Sequence, residues 1–293
     1  MEWVSMGIIL LMKFTQSIFQ KRTSKNLDGA RTYLHFGAWL YMISALIALV
    51  LLFFSGPVKI TPAVLLISAC TAATLVGCNF CSLMAMKSGT ISLTAMFSAA
   101  GMLVPCIAGV FLFGERITLA QGAGVVGLGG AVYLLIGYSK GIYQNFSLKT
   151  VGLLIGSMLC NGGTMLGQKM FAHWVPDGNI TMFSFLMFGI SSLSLAIWFL
   201  AQSAVRKEKP QRLPKPLIIS GLALATALLI INQLATAISG KVPSVILFTT
   251  VDGGGMVIAA ITAAALYHEK LEKRSILGLL AGISSLIIIN TFK

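Results

Sequence analysis

Apolar residues run along this chain in long blocks, each closed by glycine, proline or charge. A block of about 20 apolar residues crosses the ~30 Å hydrocarbon core of a bilayer as a helix. Ten such blocks are read, over residues 3–20, 33–54, 63–86, 90–113, 118–138, 149–171, 180–203, 215–238, 242–267 and 273–292. The first carries no basic leader and no small-residue cleavage site, so it is read as a retained helix.

The ten blocks fall into two similar sets of five. Gln20-Lys21 near the end of the first helix matches Gln168-Lys169 near the end of the sixth, and Asp28-Gly29 and Asp177-Gly178 follow. Asn79 precedes Ser88-Gly89 and Ser92 much as Asn232 precedes Ser239-Gly240 and Ser244. After the fourth and ninth helices, Phe113-Gly114-Glu115-Arg116-Ile117 matches Tyr267-His268-Glu269-Lys270-Leu271, with Gly124 and Gly278 equally far downstream. Several matches in order argue for a duplication, with repeats at 1–141 and 142–293. Five is odd, so successive repeats enter the membrane in opposite senses. The predicted fold is an all-α integral membrane protein, ten transmembrane helices forming two inverted five-helix repeats and together one transport domain. In such folds the substrate site lies between the repeats near the midplane.

Composition supports lipid as the solvent. The 293 residues are 57% hydrophobic and 10% charged, with a mean hydropathy of +0.90. Soluble domains carry about 25% charged residues. The net charge of +13 sits in short loops rather than on a face suited to nucleic acid, which excludes that partner. Most of the basic residues follow odd-numbered helices, with clusters at Lys21 to Arg31, Arg206 to Lys215 and Lys270 to Arg274. The positive-inside rule puts those loops in the cytoplasm and both termini outside.

Two five-helix repeats, each with a Gly-Glu-Arg-Ile-Thr-like element after its fourth helix, resemble the EamA-type members of the drug/metabolite transporter superfamily. Glu115-Arg116-Ile117-Thr118 fits that element well and Glu269-Lys270-Leu271 less fully. The resemblance implies a transporter, commonly an exporter, of small metabolites, amino acids or amphipathic drugs. It also implies both termini inside, against the charge count.

A charge at the bilayer centre costs about 2.5–3.5 kcal/mol on insertion scales. Two formal charges fall near the midplane, Lys13 in the first helix and Asp252 in the ninth. They read either as a structural ion pair or as substrate-cavity groups, Asp252 facing an amine or a proton and Lys13 a carboxylate. Asp252 opens Asp252-Gly253-Gly254-Gly255. Each glycine weakens a helix by about 1 kcal/mol relative to alanine, so this segment reads as a locally unwound site beside a titratable acid, with close helix packing as the alternative.

Gln16, Asn79, Asn161, Thr164, Asn232 and Gln233 add polar groups at similar depth. Under the repeat alignment Lys13 corresponds to Asn161 and Gln16 to Thr164. Each reads equally as substrate contact or as an interhelical hydrogen bond. Glu115 and Glu269, beside Arg116 and Lys270, read as interfacial local pairs.

Other motifs carry less. Gly122-Ala-Gly124-Val-Val-Gly127 matches GxGxxG, but neither a strand nor the acidic partner about 20 residues on accompanies it, so helix packing accounts for it. The five cysteines lie in apolar runs and read as small filler, and no cofactor or metal is called for.

The leading reading is a secondary transporter of small polar or amphipathic metabolites such as amino acids, working by alternating access around a central site. A proton-coupled organic cation or multidrug exporter is the alternative, with coupling through Asp252. A non-transporting membrane receptor or scaffold is the second alternative. No nucleophile–base pair, metal cluster or paired carboxylate at depth points to an enzyme. The partners are a small-molecule substrate and the lipid bilayer of the cell membrane, the chain being a monomer or homodimer.

Overall fold

A computed structural model describes residues 2–24, 29–55, 58–87, 97–135, 148–206, 213–267 and 273–291. Among them the chain forms ten helices. The first five are α1 (Glu2–Ser24), α2 (Gly29–Leu52), α3 (Pro62–Lys87), α4 (Phe97–Phe113) and α5 (Leu119–Leu135). The second five are α6 (Leu148–Trp174), α7 (Ile180–Arg206), α8 (Lys215–Ser239), α9 (244–267) and α10 (Lys273–Thr291). The predicted residues 90–96 and the repeat boundary at 141/142 lie outside the described residues.

Local chemistry sets the ends. Pro62 opens α3, and the Thr61 hydroxyl accepts from Val64 N at 3.3 Å. Gly114, at φ 64°, closes α4 in the left-handed conformation that glycine adopts without a Cβ clash. Thr118 and Gln121 form a reciprocal capping box at the start of α5: Gln121 N donates to Thr118 Oγ1 at 3.2 Å and Thr118 N to Gln121 Oε1 at 3.1 Å.

Among the described residues six helices are long and apolar enough to cross a membrane: α2, α3, α6, α7, α8 and α9. These make the chain a multi-pass membrane protein. Of the four remaining predicted spans, α1 includes Glu2, Lys13, Lys21 and Arg22 among its 23 residues, and α4, α5 and α10 are apolar helices whose described residues cover only part of the predicted span. Large apolar side chains such as Phe111, Val126, Leu193 and Ile219 are exposed on the outside of the bundle, as lipid-facing positions are.

Four helix pairs make the largest interfaces, α2 with α7, α5 with α10, α3 with α6, and α1 with α8. Advancing each helix by five maps the first two pairs onto themselves and exchanges the last two, as a two-fold exchange of the halves would. The ends also alternate. Asn179 before α7 donates to Ser55 after α2 at 3.1 Å, and Thr23 near the end of α1 donates to Ser220 near the start of α8 at 3.1 Å.

Two large apolar cores result, beside a smaller cluster of Phe36, Leu217 and Leu224. One joins α2, α3 and α7 through Leu34, Tyr41, Val64, Ile67, Phe183 and Phe188. The other surrounds α9, where Val245 to Phe248 and Val251 pack on Met6, Ile9, Met102, Cys106 and Ile289. Asp252 follows directly on this second core.

Candidate functional site

Lys13 lies midway along α1, and its ammonium is 3.1 Å from Asp252 Oδ1 on α9. The two side chains keep only 19% and 13% of their surface. Asn161 of α6 approaches the other oxygen, Nδ2 lying 3.5 Å from Asp252 Oδ2, and the same amide donates to Ser98 O of α4 at 2.8 Å. Three helices therefore meet at one carboxylate, a fourth, α4, is tied in through Asn161, and they come from both halves of the chain.

The backbone around Asp252 departs from the expected unwinding. Thr249–Gly253 forms a π-helical turn within α9, and Gly254 N points back at the carbonyls of Thr249, Thr250 and Val251. The segment is widened rather than opened, and Leu128, Leu10 and Lys13 lie against its three glycines. Such single π turns inside α-helices concentrate at functional sites. Asn290 of α10 braces the turn, its Nδ2 donating to Thr250 Oγ1 at 3.3 Å.

The glycines divide their roles. A β-carbon at Gly255 would lie 3.0 Å from Lys13 Cδ, so Gly255 is the residue that clears the lysine stem. Gly253 faces Leu128 and Gly254 faces Leu10. Sequence reading took the three glycines together as one weak segment, and their neighbours distinguish them.

The remaining candidates separate into two groups. Asn79 is committed to α2, its Nδ2 donating to Tyr41 OH at 2.8 Å while Tyr33 OH donates to its Oδ1 at 3.4 Å. Thr164 meets Thr74 at 3.1 Å across the α3–α6 interface. Asn232 accepts from Gln168 and donates its own amide to Leu228 O at 2.8 Å. These three make interhelical bonds away from Asp252. Gln16 is half-buried on α1, and Gln233 Nε2 on α8 is buried with no hydrogen-bond partner among the described residues.

Glu115 does not pair with the adjacent Arg116. Its Oε1 lies 2.6 Å from Lys169 Nζ of α6, a lysine that sequence reading used only as a repeat marker. Glu269 and Lys270 lie outside the described residues. The GxGxxG stretch packs α5 against α10, where a β-carbon at Gly127 would lie 2.5 Å from Ser285 Oγ. Among the described residues no group of three or more His, Cys, Asp or Glu is placed to hold a metal ion.

Ser98 was also missed, although a signal was present. It lies as far before Glu115 as Asp252 lies before Glu269, so the repeat alignment makes Ser98 the counterpart of Asp252. Asn161, matched with Lys13 in that reading, donates to the Ser98 backbone carbonyl, whereas Lys13 donates to the Asp252 side chain.

Comparison with known proteins places these features in a wider setting. The EamA-like transporter family matches over residues 148–291. No curated protein matches the chain. A solved structure, described as the crystal structure of a protein, superposes over 98% of this chain and 96% of its own with a TM-score of 0.78. At 12% identity that likeness concerns the fold alone.

Proposed function

We propose that this multi-pass membrane protein, whose residues 148–291 match the EamA-like transporter family, carries small zwitterions such as amino acids by alternating access. The two repeats, 1–141 and 142–293, are inverted, all ten helices cross the membrane, and the halves rock about a site at Lys13 and Asp252. The exchange symmetry of the helix interfaces supports the repeat reading.

The ion pair between Lys13 and Asp252 carries the substrate assignment. Removing one partner of a buried pair costs about 3–5 kcal/mol, because the other charge is left uncompensated. A zwitterion avoids that cost. Its carboxylate takes over the Lys13 ammonium while its ammonium takes over Asp252, so both protein charges stay paired. An organic cation would engage Asp252 and strand Lys13 beside it. The amides of Asn161, Gln16 and Gln233 offer donors to a carboxylate, and the unfilled Gln233 Nε2 is the clearest of them. Gly255 and its neighbours Gly253 and Gly254 give the room for Lys13 to turn. Asn79, Thr164 and Asn232 form the frame around the site. Export is the proposed direction.

Thermal stabilisation of the purified protein by a panel of amino acids, polyamines and organic cations tests this, followed by flux in proteoliposomes. Amino acids are expected to stabilise and to be transported, with both effects lost in Asp252→Asn and in Lys13→Met. Stabilisation by organic cations that survives Lys13→Met would replace this reading with the cation exporter. Tight binding with no flux would make the protein a receptor.

A further inference from the structure

A second buried ion pair lies apart from Asp252. Lys169 Nζ, on a side chain only 4% exposed, contacts Glu115 Oε1 at 2.6 Å and donates to Val242 O at 3.0 Å. Glu115 Oε2 accepts from Ser244 N at 2.8 Å. The pair therefore ties together three segments: the link after α4 in the first half, the last turns of α6, and the turn between α8 and α9. Phe113 covers it, its ring centroid 5.8 Å from the ammonium.

Its place in the fold is specific. Ser244 begins α9, which carries Asp252 two turns further on. Near where α1 begins lies a cavity of about 210 Å³, lined by Trp3, Gln121 and Ile246 among others, and also by Arg116, the chain neighbour of Glu115, and Val242, whose carbonyl holds Lys169. Beside the pair sits Cys106 of α4, 3% exposed, its thiol 3.9 Å from Ser244 O.

We propose that Glu115 and Lys169 form the gate that closes the passage between this cavity and the Asp252 site, and that parting them admits water as far as Cys106. The proposal rests on the alternating-access reading. A buried ion pair suits a gate because its Coulombic attraction is largely offset by the desolvation of both charges. When the halves separate, water solvates both groups, so the pair can break at small net cost. An apolar seal of the same area would resist opening, since all of its surface would be exposed to water. Geometry also links gate and site: releasing Glu115 frees the first turn of the helix whose π turn holds Asp252.

Cys106 is the reporter. In the full-length protein with Cys70, Cys78, Cys81 and Cys160 replaced by alanine, labelling of Cys106 by N-ethylmaleimide is timed in proteoliposomes. Glu115→Gln and Lys169→Met each remove one charge. Gly109→Ala keeps both charges and puts a methyl group against Glu115 Oε2 and the Ser244 hydroxyl, so it tests the same contact without a buried lone charge. With an open minor state populated at about 0.1–10%, labelling is expected to rise about tenfold or more in all three, while Lys169→Arg stays near the parent rate. Unchanged labelling in Glu115→Gln and Gly109→Ala would overturn the gate and leave a static clamp. If a charge-removing variant fails to fold, Gly109→Ala and Lys169→Arg decide the question alone. Flux of amino acids, followed in parallel, separates the two ideas. Faster labelling with no flux in the parent retains the gate and defeats the transporter reading, whereas flux without any labelling change defeats only the gate.

Discussion

Lys13 and Asn161, matched to each other in the proposed repeat reading, hold opposite oxygens of Asp252, at 3.1 and 3.5 Å. Only one of the two is charged. Lys13→Met is therefore expected to destabilise the protein by about 3–5 kcal/mol, as an isolated buried charge does. Asn161→Ala should cost about 1–3 kcal/mol, since the Ser98 carbonyl and one Asp252 oxygen each lose a donor. The double variant Lys13→Met/Asp252→Asn should recover much of the single-variant loss, since no lone charge remains. Thermal melts of the four proteins in one detergent check the order. A double variant less stable than either single would contradict it.

Gly255 clears the stem of Lys13, and a larger side chain there has nowhere to go except into the lysine. Gly255→Val should leave a folded protein whose ammonium is displaced from Asp252. The expected result is loss of ligand-induced stabilisation with a modest fall in melting temperature. Full ligand response in this variant would show that Lys13 need not sit where it does.

The crossing of α4 and α6 depends on a close backbone approach beside Ser98 and Asn161. A β-carbon at Gly101 would lie 2.8 Å from Met158 O, and one at Gly162 would fall on Val104 and on the Gly101 carbonyl. Gly162→Val should force the helices apart at a cost of about 1–3 kcal/mol or more, the usual penalty of overpacking. Size-exclusion profiles and melting temperatures report it, and a native-like variant would mean that this interface can slide.

Capping offers a control away from the site. Thr118→Ala removes the hydroxyl half of the box that opens α5 and should cost about 0.5–2 kcal/mol. Ligand response should not change. A shift in apparent affinity would tie the start of α5 to the transport cycle.

Orientation has its own test. The face carrying most of the basic loop residues is expected to be cytoplasmic. In a background without native cysteines, Asp177→Cys should then react with an impermeant maleimide in intact cells and Lys215→Cys should not. The reverse pattern would put both termini inside, as the family resemblance implies.

Much of the architecture was legible in the sequence because lipid imposes a simple requirement. Every spanning segment must be long, apolar and internally hydrogen-bonded, so α2, α3 and α6 to α9 stand out from hydropathy alone. Lys13 and Asp252 stood out for the converse reason, as charges in places where charge is costly. Which residues touch was less legible. Asn79, Asn232 and Asn161 look alike along the chain, yet only Asn161 reaches Asp252, because helix rotation decides and residue type does not. The π turn was read as unwinding since glycine content reports a weak helix, not the shape that the weakness takes. Lys169 escaped notice because it sits near a helix end, where lysines usually reach water. Only the fold shows the Val242 carbonyl and the Glu115 carboxylate enclosing it.

The Lys13–Asp252 contact spans 239 residues of chain, and that separation matters before the protein is finished. At about 5–20 residues per second, the ribosome delivers α9 roughly 10–50 s after α1. During that interval Lys13 sits in a nascent helix with no carboxylate to meet it. The first helix must wait at the membrane surface, lean its lysine toward the headgroups, or shelter in the insertion machinery until the ninth arrives. Biogenesis of this protein is thus expected to be slowest to commit at its N-terminal helix, and truncations that end before α9 should leave that helix the least firmly inserted.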